Sequence, residues 1–430
     1  MIFVLLLFFI SVYVILFAKK DKTFFYIYNL CLVVFGPFIG LKLNCPSISV
    51  IYHIIPLACL LSLAPFFYKK KYVKYVFFYL LALVLYLTFK SIFWNISAVK
   101  FFAILKNATF CACCCISMVE FYNQGQLNIK KIVNGIYCIV VLQVIIAIGQ
   151  YYIPAVSNFF DVIVFEDGTE IQDFSSKLNN MRIIAGTMIT PSNLACFLSS
   201  SFFVLFLNEI ISPCKSRLKM SILLLTLVAL FYTGIRTPFI ILIIFLLVYT
   251  IIMQKMKYAL LIMVPIIVLL LFFSRFMDIE GAAGRMFQGI GLLSGGLTGL
   301  GESTFFYSIM MIPFFFQDPL FGVSLYNVTG YQLAAGIYVN EMSVTDLYLM
   351  YLLCEVGIIG VLLYIYPLFR MRKLLPMKTN KKVFLLVIMF GIFLGIVDQG
   401  IFHYSVLIVL LQGVVMYTIN DSQRNQNVQI

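Results

Sequence analysis

Charge is what this chain has least of. Only 11% of its 430 residues are Asp, Glu, Lys or Arg, against 63% hydrophobic. Mean hydropathy is +1.05. A water-soluble fold could not cover that much apolar surface. Histidine is nearly absent. His53 and His403 each stand alone in an apolar stretch, so no paired-His metal spacing exists, and each reads as a core or interfacial side chain. No acidic pair of the Asp-x-Asp kind appears, and no glycine-rich loop ends in Lys-Ser/Thr. The glycine run from Gly289 to Gly301 reads as a flexible hinge instead. These absences argue against nucleotide-driven or metal-dependent chemistry, and no cofactor is expected. The eleven cysteines lie mostly in apolar segments, with Cys45 alone in an expected outer loop, so no disulfide framework is expected. The cluster Cys111-Ala-Cys-Cys-Cys115 has no His or acidic neighbour in sequence. It reads as small apolar side chains filling a helix interior.

What is there is a succession of long apolar runs. A helix needs about 20 apolar residues to cross the hydrocarbon core. Runs of that kind recur at 1–18, 23–41, 48–68, 75–94, 99–119, 132–154, 191–212, 220–233, 238–254, 258–274, 346–369, 383–399 and 401–419. The run at 99–119 is the weakest, because Lys100 and Lys106 lie in it. The expected fold is an all-α integral membrane protein, a bundle of about 12–13 transmembrane helices. Barrel strands would alternate apolar and polar over short segments, which these runs do not. The first run lacks a basic start and a small-residue cleavage site, so it reads as a span and not a removed signal peptide. No internal repeat, low-complexity segment or soluble domain is visible, so 1–430 reads as one polytopic domain.

A net charge of +13 in a soluble protein would suggest nucleic acid. Here the placement of the charges decides otherwise, because cytoplasmic loops collect Lys and Arg. With the N-terminus outside, the inner connections hold Lys19, Lys20 and Lys22; Lys69, Lys70, Lys71 and Lys74; and Lys130 and Lys131. Further along they hold Lys215, Arg217 and Lys219; Lys255 and Lys257; Arg370, Arg372, Lys373, Lys378, Lys381 and Lys382; and Arg424 in the polar cytoplasmic tail, 420–430. Two outer loops are long, at about 155–190 and about 275–346. The second is too long to be a mere connection. Its Ser303–Phe316 stretch is aromatic and apolar, broken by Pro313, which suits a helix lying in the interface.

Basic residues outside the inner connections need a reason. Arg236 sits in the tight turn Tyr232-Thr-Gly-Ile-Arg-Thr-Pro238 between two spans, where a guanidinium is costly without an anion, unless it snorkels to lipid headgroups. Arg182 and Arg285, in the two long loops, are further candidates to hold phosphate oxygens in a fork. Arg275, at a span boundary, reads as an anchor. Asp346 stands at the mouth of the 346–369 span, either as a base for an attacking hydroxyl or as a helix cap. Glu355 lies nine residues on, roughly 13 Å deeper in a continuous helix, as a substrate contact or a structural partner. Tyr348, near the same mouth, is a candidate for substrate binding.

Three segments carry a family resemblance. Arg182-Ile-Ile-Ala-Gly-Thr-Met-Ile-Thr-Pro-Ser-Asn-Leu-Ala195 enters a span. Thr233-Gly-Ile-Arg-Thr237 turns between two spans. Asp318-Pro-Leu-Phe-Gly-Val-Ser324, followed by Thr345-Asp-Leu-Tyr-Leu and Glu355-Val-Gly-Ile-Ile-Gly360, closes the long loop. In their order and spacing these resemble the bacterial O-antigen polymerase and O-antigen ligase family, over roughly residues 180–420. Two departures matter: Ile235 precedes the turn arginine where the family often has Ser, and Thr345 precedes Asp346 where ligases, and many polymerases, carry His. The second shifts weight toward polymerase.

The resemblance implies a metal-independent glycosyltransferase of the bacterial inner membrane. It would join undecaprenyl-pyrophosphate-linked oligosaccharide repeat units of an O-antigen, capsule or exopolysaccharide. The leaving pyrophosphate brings its own activation, and Arg182, Arg236 and Arg285 would hold its charge. Asp346 would act as the weak base. Tyr307, Tyr326, Tyr331 and Tyr338 are candidates to stack on sugars. Membrane lipid, a chain-length regulator and a flippase are the other expected partners, and nucleic acid is not one. The competing readings are a ligase of the same family and a lipid-linked oligosaccharide flippase.

Overall fold

The structure is a computed structural model that describes residues 21–42, 58–94, 98–160, 184–188, 190–211, 217–252, 312–323, 348–373, 381–397, 406 and 408–413. Among these residues the chain is almost entirely helical, with no strand. In chain order the helices are α1 (Thr23–Lys42), α2 (Lys71–Trp94), α3 (Ala98–Asn123), α4 (Ile129–Tyr152), α5 (Pro154–Phe160), α6 (Pro191–Ile211), α7 (Arg217–Tyr232), α8 (Arg236–Ile252), α9 (Ile312–Phe315), α10 (Tyr348–Met371) and α11 (Lys381–Val397). Residues 58–63 are also helical and pass into a 3-10 turn at Ala64–Phe66.

Among the described residues four helices are long and apolar enough to cross a membrane: α2 over Lys71–Phe93, α4, α6 over Pro191–Glu209, and α10. Residues 99–119, with two lysines, lie within the single helix α3. The four differ in surroundings. α6 is the most enclosed, with Phe197, Phe203 and Leu205 fully buried, whereas α2 is the least. Phe78, Leu81, Leu85, Phe89 and Ile92 form an exposed stripe on α2 at spacings of three and four. In water such a stripe would be a liability. Against acyl chains it is the ordinary outer face of a membrane helix.

α6 packs against α7 and α8, α4 against α1, α5, α6 and α7, and α8 against α11. α10 bridges α11 on one side and α2 and α3 on the other. The three buried cysteines Cys113, Cys114 and Cys115 lie in the core side of α3. Small, polarisable side chains let neighbouring helices approach closely there.

The bundle has two distinguishable ends. At one, the Lys22 amide donates to Gln126 O at 2.8 Å and the Asn128 amide to Thr23 Oγ1 at 2.8 Å. Lys131 pairs with Asp21 at 3.0 Å. These bonds gather the start of α1, the end of α3 and the start of α4. Phe66 meets Phe121 edge-on, so α2 starts there too. Arg370 lies over Tyr75, and Lys219 pairs with Glu209 at 3.2 Å, adding the ends of α10 and α6 and the start of α7. The described basic connections therefore share this end. At the opposite end α2, α4 and α7 finish and α8 and α10 begin.

Candidate functional site

The candidate site lies at that opposite end, where the backbone departs from helix. α10 is broken at Gly357, whose φ of 63° and ψ of −176° fit no helix. Breaking a helix strands amides and carbonyls that a membrane interior cannot solvate. Here five of these groups find new partners. The Ile358 amide donates to Pro319 O at 2.9 Å and the Ile359 amide to Leu320 O at 3.2 Å. In return the Val323 amide donates to Cys354 O at 2.9 Å. The Tyr86 hydroxyl donates to Val356 O at 2.5 Å. Lys90 Nζ donates to Glu355 O at 2.8 Å. So the segment Asp318–Val323, a strap across the break, replaces the missing turn of α10.

The strap is shaped for this. Asp318 Oδ1 accepts from the Phe321 amide at 3.1 Å and Asp318 O from the Gly322 amide at 2.8 Å, closing a tight turn. Gly322 has φ +77°, and a Cβ on it would meet Cys354 O and Gly357 N, each at 2.7 Å. Tyr86 and Lys90, four residues apart on one face of α2, reach the strap from the other side. Tyr86 OH also lies 3.0 Å from Phe321 O. Lys90 Nζ donates to Phe321 O and, at 2.9 Å, to Gly322 O. Lys90 is only 5% exposed, and the charges of Asp318 and Glu355 both act on it.

Two further turns sit at the same end. Residues 184–188 lead into α6 and are held by two glutamines seven apart on α4. The Gly186 amide donates to Gln150 Oε1 at 2.8 Å, and Gln143 bonds the Thr187 hydroxyl and, at 3.3 Å, its amide. Thr187 Oγ1 in turn donates to Val34 O at 2.8 Å, tying the turn to α1. Between α7 and α8, Gly234 turns the chain at φ +68°. Beside it Tyr232 shares a 2.6 Å hydroxyl contact with Tyr152 and stacks on Tyr151 at 4.2 Å.

Of the residues singled out in the sequence, Glu355 and Tyr348 are fully described. Glu355 is buried, two residues before the break, and its main chain is part of the Lys90 cluster. Tyr348 is half-buried, stacks on Tyr351 at 5.8 Å and packs against the buried cluster that includes Leu352 and Val356. The expected depth of Glu355 below Asp346 involves a residue outside the described ones; the helix that carries Glu355 breaks just beyond it, at Gly357. Arg236 is the first residue of α8, and its side chain lies outside the description. Arg182, Arg285 and Asp346 lie outside the described residues, as do His53, His403, Arg275, the glycine run and Tyr307, Tyr326, Tyr331 and Tyr338. Of the expected interfacial stretch Ser303–Phe316, the described part is the single turn α9. Pro313 stands inside its first turn, where its missing amide costs nothing, so it starts this turn and does not break one. α9 packs on α10.

Lys90 and Tyr86 were missed. The available signal was a lysine inside an apolar run, one turn after a tyrosine. Among the described residues no group of three or more His, Cys, Asp or Glu side chains could hold a metal ion. No protein-family model, curated protein or solved structure matches the chain.

Proposed function

We propose that the protein is a polysaccharide polymerase of the cytoplasmic membrane, joining undecaprenyl-pyrophosphate-linked oligosaccharide repeat units at the outer face. One observation carries the reading. The described glycines with positive φ are Gly125, Gly186, Gly234, Gly322 and Gly357, and all but Gly125 fall inside the three segments that resemble O-antigen polymerases. Those segments therefore coincide with the specially built turns at one end of the bundle. The opposite end carries the basic connections, which by the positive-inside tendency is cytoplasmic.

The chemistry follows from that placement. Arg236 opens α8, where the helix already presents partial positive charge and unpaired amides. A cation there is disfavoured alone and favoured beside an anion, which is the situation a pyrophosphate creates. Arg182 precedes the 184–188 turn and Arg285 lies in the long loop, and both join it in holding the leaving group. Asp346, just before α10, takes the proton of the attacking hydroxyl. Glu355 and Tyr348, within α10, contact the glycan. The anomeric C–O bond to pyrophosphate breaks as the new glycosidic bond forms, and undecaprenyl pyrophosphate leaves.

The test is a purified-protein assay with undecaprenyl-pyrophosphate-linked repeat units. A ladder of oligomers is expected from the wild type and none from Arg236→Ala present at equal amounts in the membrane. An unchanged ladder from Arg236→Ala removes that residue from the site. No ladder from the wild type, with transfer of glycan to a different lipid acceptor, identifies a ligase.

A further inference from the structure

The Lys90 ammonium sits in a cage of main-chain oxygens. Phe321 O and Gly322 O come from the strap, and Glu355 O comes from α10. An ammonium has three donors and no acceptor, so carbonyl oxygens are partners suited to it. A ring of carbonyl oxygens with carboxylates close by is the donor set that binds hard cations. Asp318 and Glu355 supply the carboxylates. Remove the cation, and carbonyl dipoles from two chain segments face one another beside two carboxylates, in a buried place.

We infer that the Phe321–Gly322–Glu355 cage is a monovalent-cation site filled by the chain's own Lys90, and that this charge clamps the strap onto the broken helix. Lys90 is then a positioning residue for Asp318 and Glu355. The cage emptied by truncating Lys90 should accept a small alkylammonium ion. The inference goes beyond the glycan reading and does not depend on it, because its readout needs no turnover.

Cys354 supplies that readout. Its side chain is fully buried under the strap, against Phe314, Phe315 and Val323. Alkylation of Cys354 by N-ethylmaleimide in membranes of the full chain, quantified by peptide mass spectrometry, reports whether the strap is seated. Cys138, exposed on α4, is the internal reference. The wild type and Lys90→Arg are expected to label slowly. Lys90→Ala is expected to label at least about tenfold faster, the ratio for losing charge-assisted bonds of about 1.4 kcal/mol or more. Propylammonium should restore slow labelling, and propanol should not. The inference is overturned if Lys90→Ala labels at the wild-type rate, if propylammonium restores nothing, or if propanol restores as much. If Lys90→Ala fails to accumulate, Lys90→Arg against Lys90→Gln decides. An accumulated, protected Arg variant beside a reactive or lost Gln variant supports the clamp, and equal behaviour of the two overturns it.

Discussion

Substituting Gly357 by alanine separates backbone strain from strap displacement. The φ of 63° with ψ of −176° lies in a region that only glycine occupies freely, so a side chain there costs about 1–3 kcal/mol. The added Cβ would also collide with the main chain of Leu320 and Phe321, which cannot swing aside as a side chain can. The strap would have to lift, losing its three backbone bonds to α10 at about 1 kcal/mol each. The sum is roughly 4–6 kcal/mol. Gly125→Ala is the control. Its φ is +69°, yet nothing lies within 4 Å of the new Cβ, so only the conformational cost of about 1–2 kcal/mol applies. The assay is thermal denaturation of the detergent-solubilised protein, following the folded fraction. A loss on the order of 10 °C is expected for Gly357→Ala and only a few degrees for Gly125→Ala. Equal shifts would refute the docking of the strap on the helix break.

Three other outcomes are expected. Gln143→Leu strands the buried Thr187 amide and unseats the turn before α6, a loss of about 2–3 kcal/mol that the same melting assay reads. At the basic end, hydrogen bonds from Thr23, and then from Lys131, hold the Asp21 carboxyl below its ordinary 3.8. A depressed carboxylate stabilises the fold above 3.8 and loses that contribution as pH falls through it, so Asp21→Asn should flatten the fall in melting temperature on acidification below 3.8. Asp21 is half exposed, so the difference will be small. Finally, polymer formation should survive EDTA, and a loss that a divalent ion restores would refute the metal-free mechanism.

Among the described residues the helices were largely legible, because a long apolar run announces itself by composition; the expected runs at 1–18 and 258–274 lie outside them. The run at 132–154 became Ile129–Tyr152, and 220–233 became Arg217–Tyr232. Even 99–119, doubtful for its lysines, lies within one helix, Ala98–Asn123. The candidate site was legible only in part. Glu355 stood out because a carboxylate in an apolar run is costly. The break at Gly357 did not, because isolated glycines are common in membrane helices and carry no mark of φ. Lys90 is no better marked in the sequence. A lysine four residues from a helix end ordinarily snorkels to the interface. Its partners are main-chain oxygens more than two hundred positions away, and a carbonyl looks the same in every residue, so no side-chain pattern could reveal the pairing. The glutamines of α4 were invisible likewise, since Gln143 and Gln150 bond largely to main chain across the bundle.

The measurement that tests the central proposal most directly is the size distribution of surface polysaccharide in cells lacking this protein. The expected result is a surface glycan carrying a single repeat unit, because export and attachment continue while polymerisation stops. Full-length polymer that accumulates on undecaprenyl pyrophosphate without reaching its acceptor, or single lipid-linked units trapped inside the cell, would contradict it.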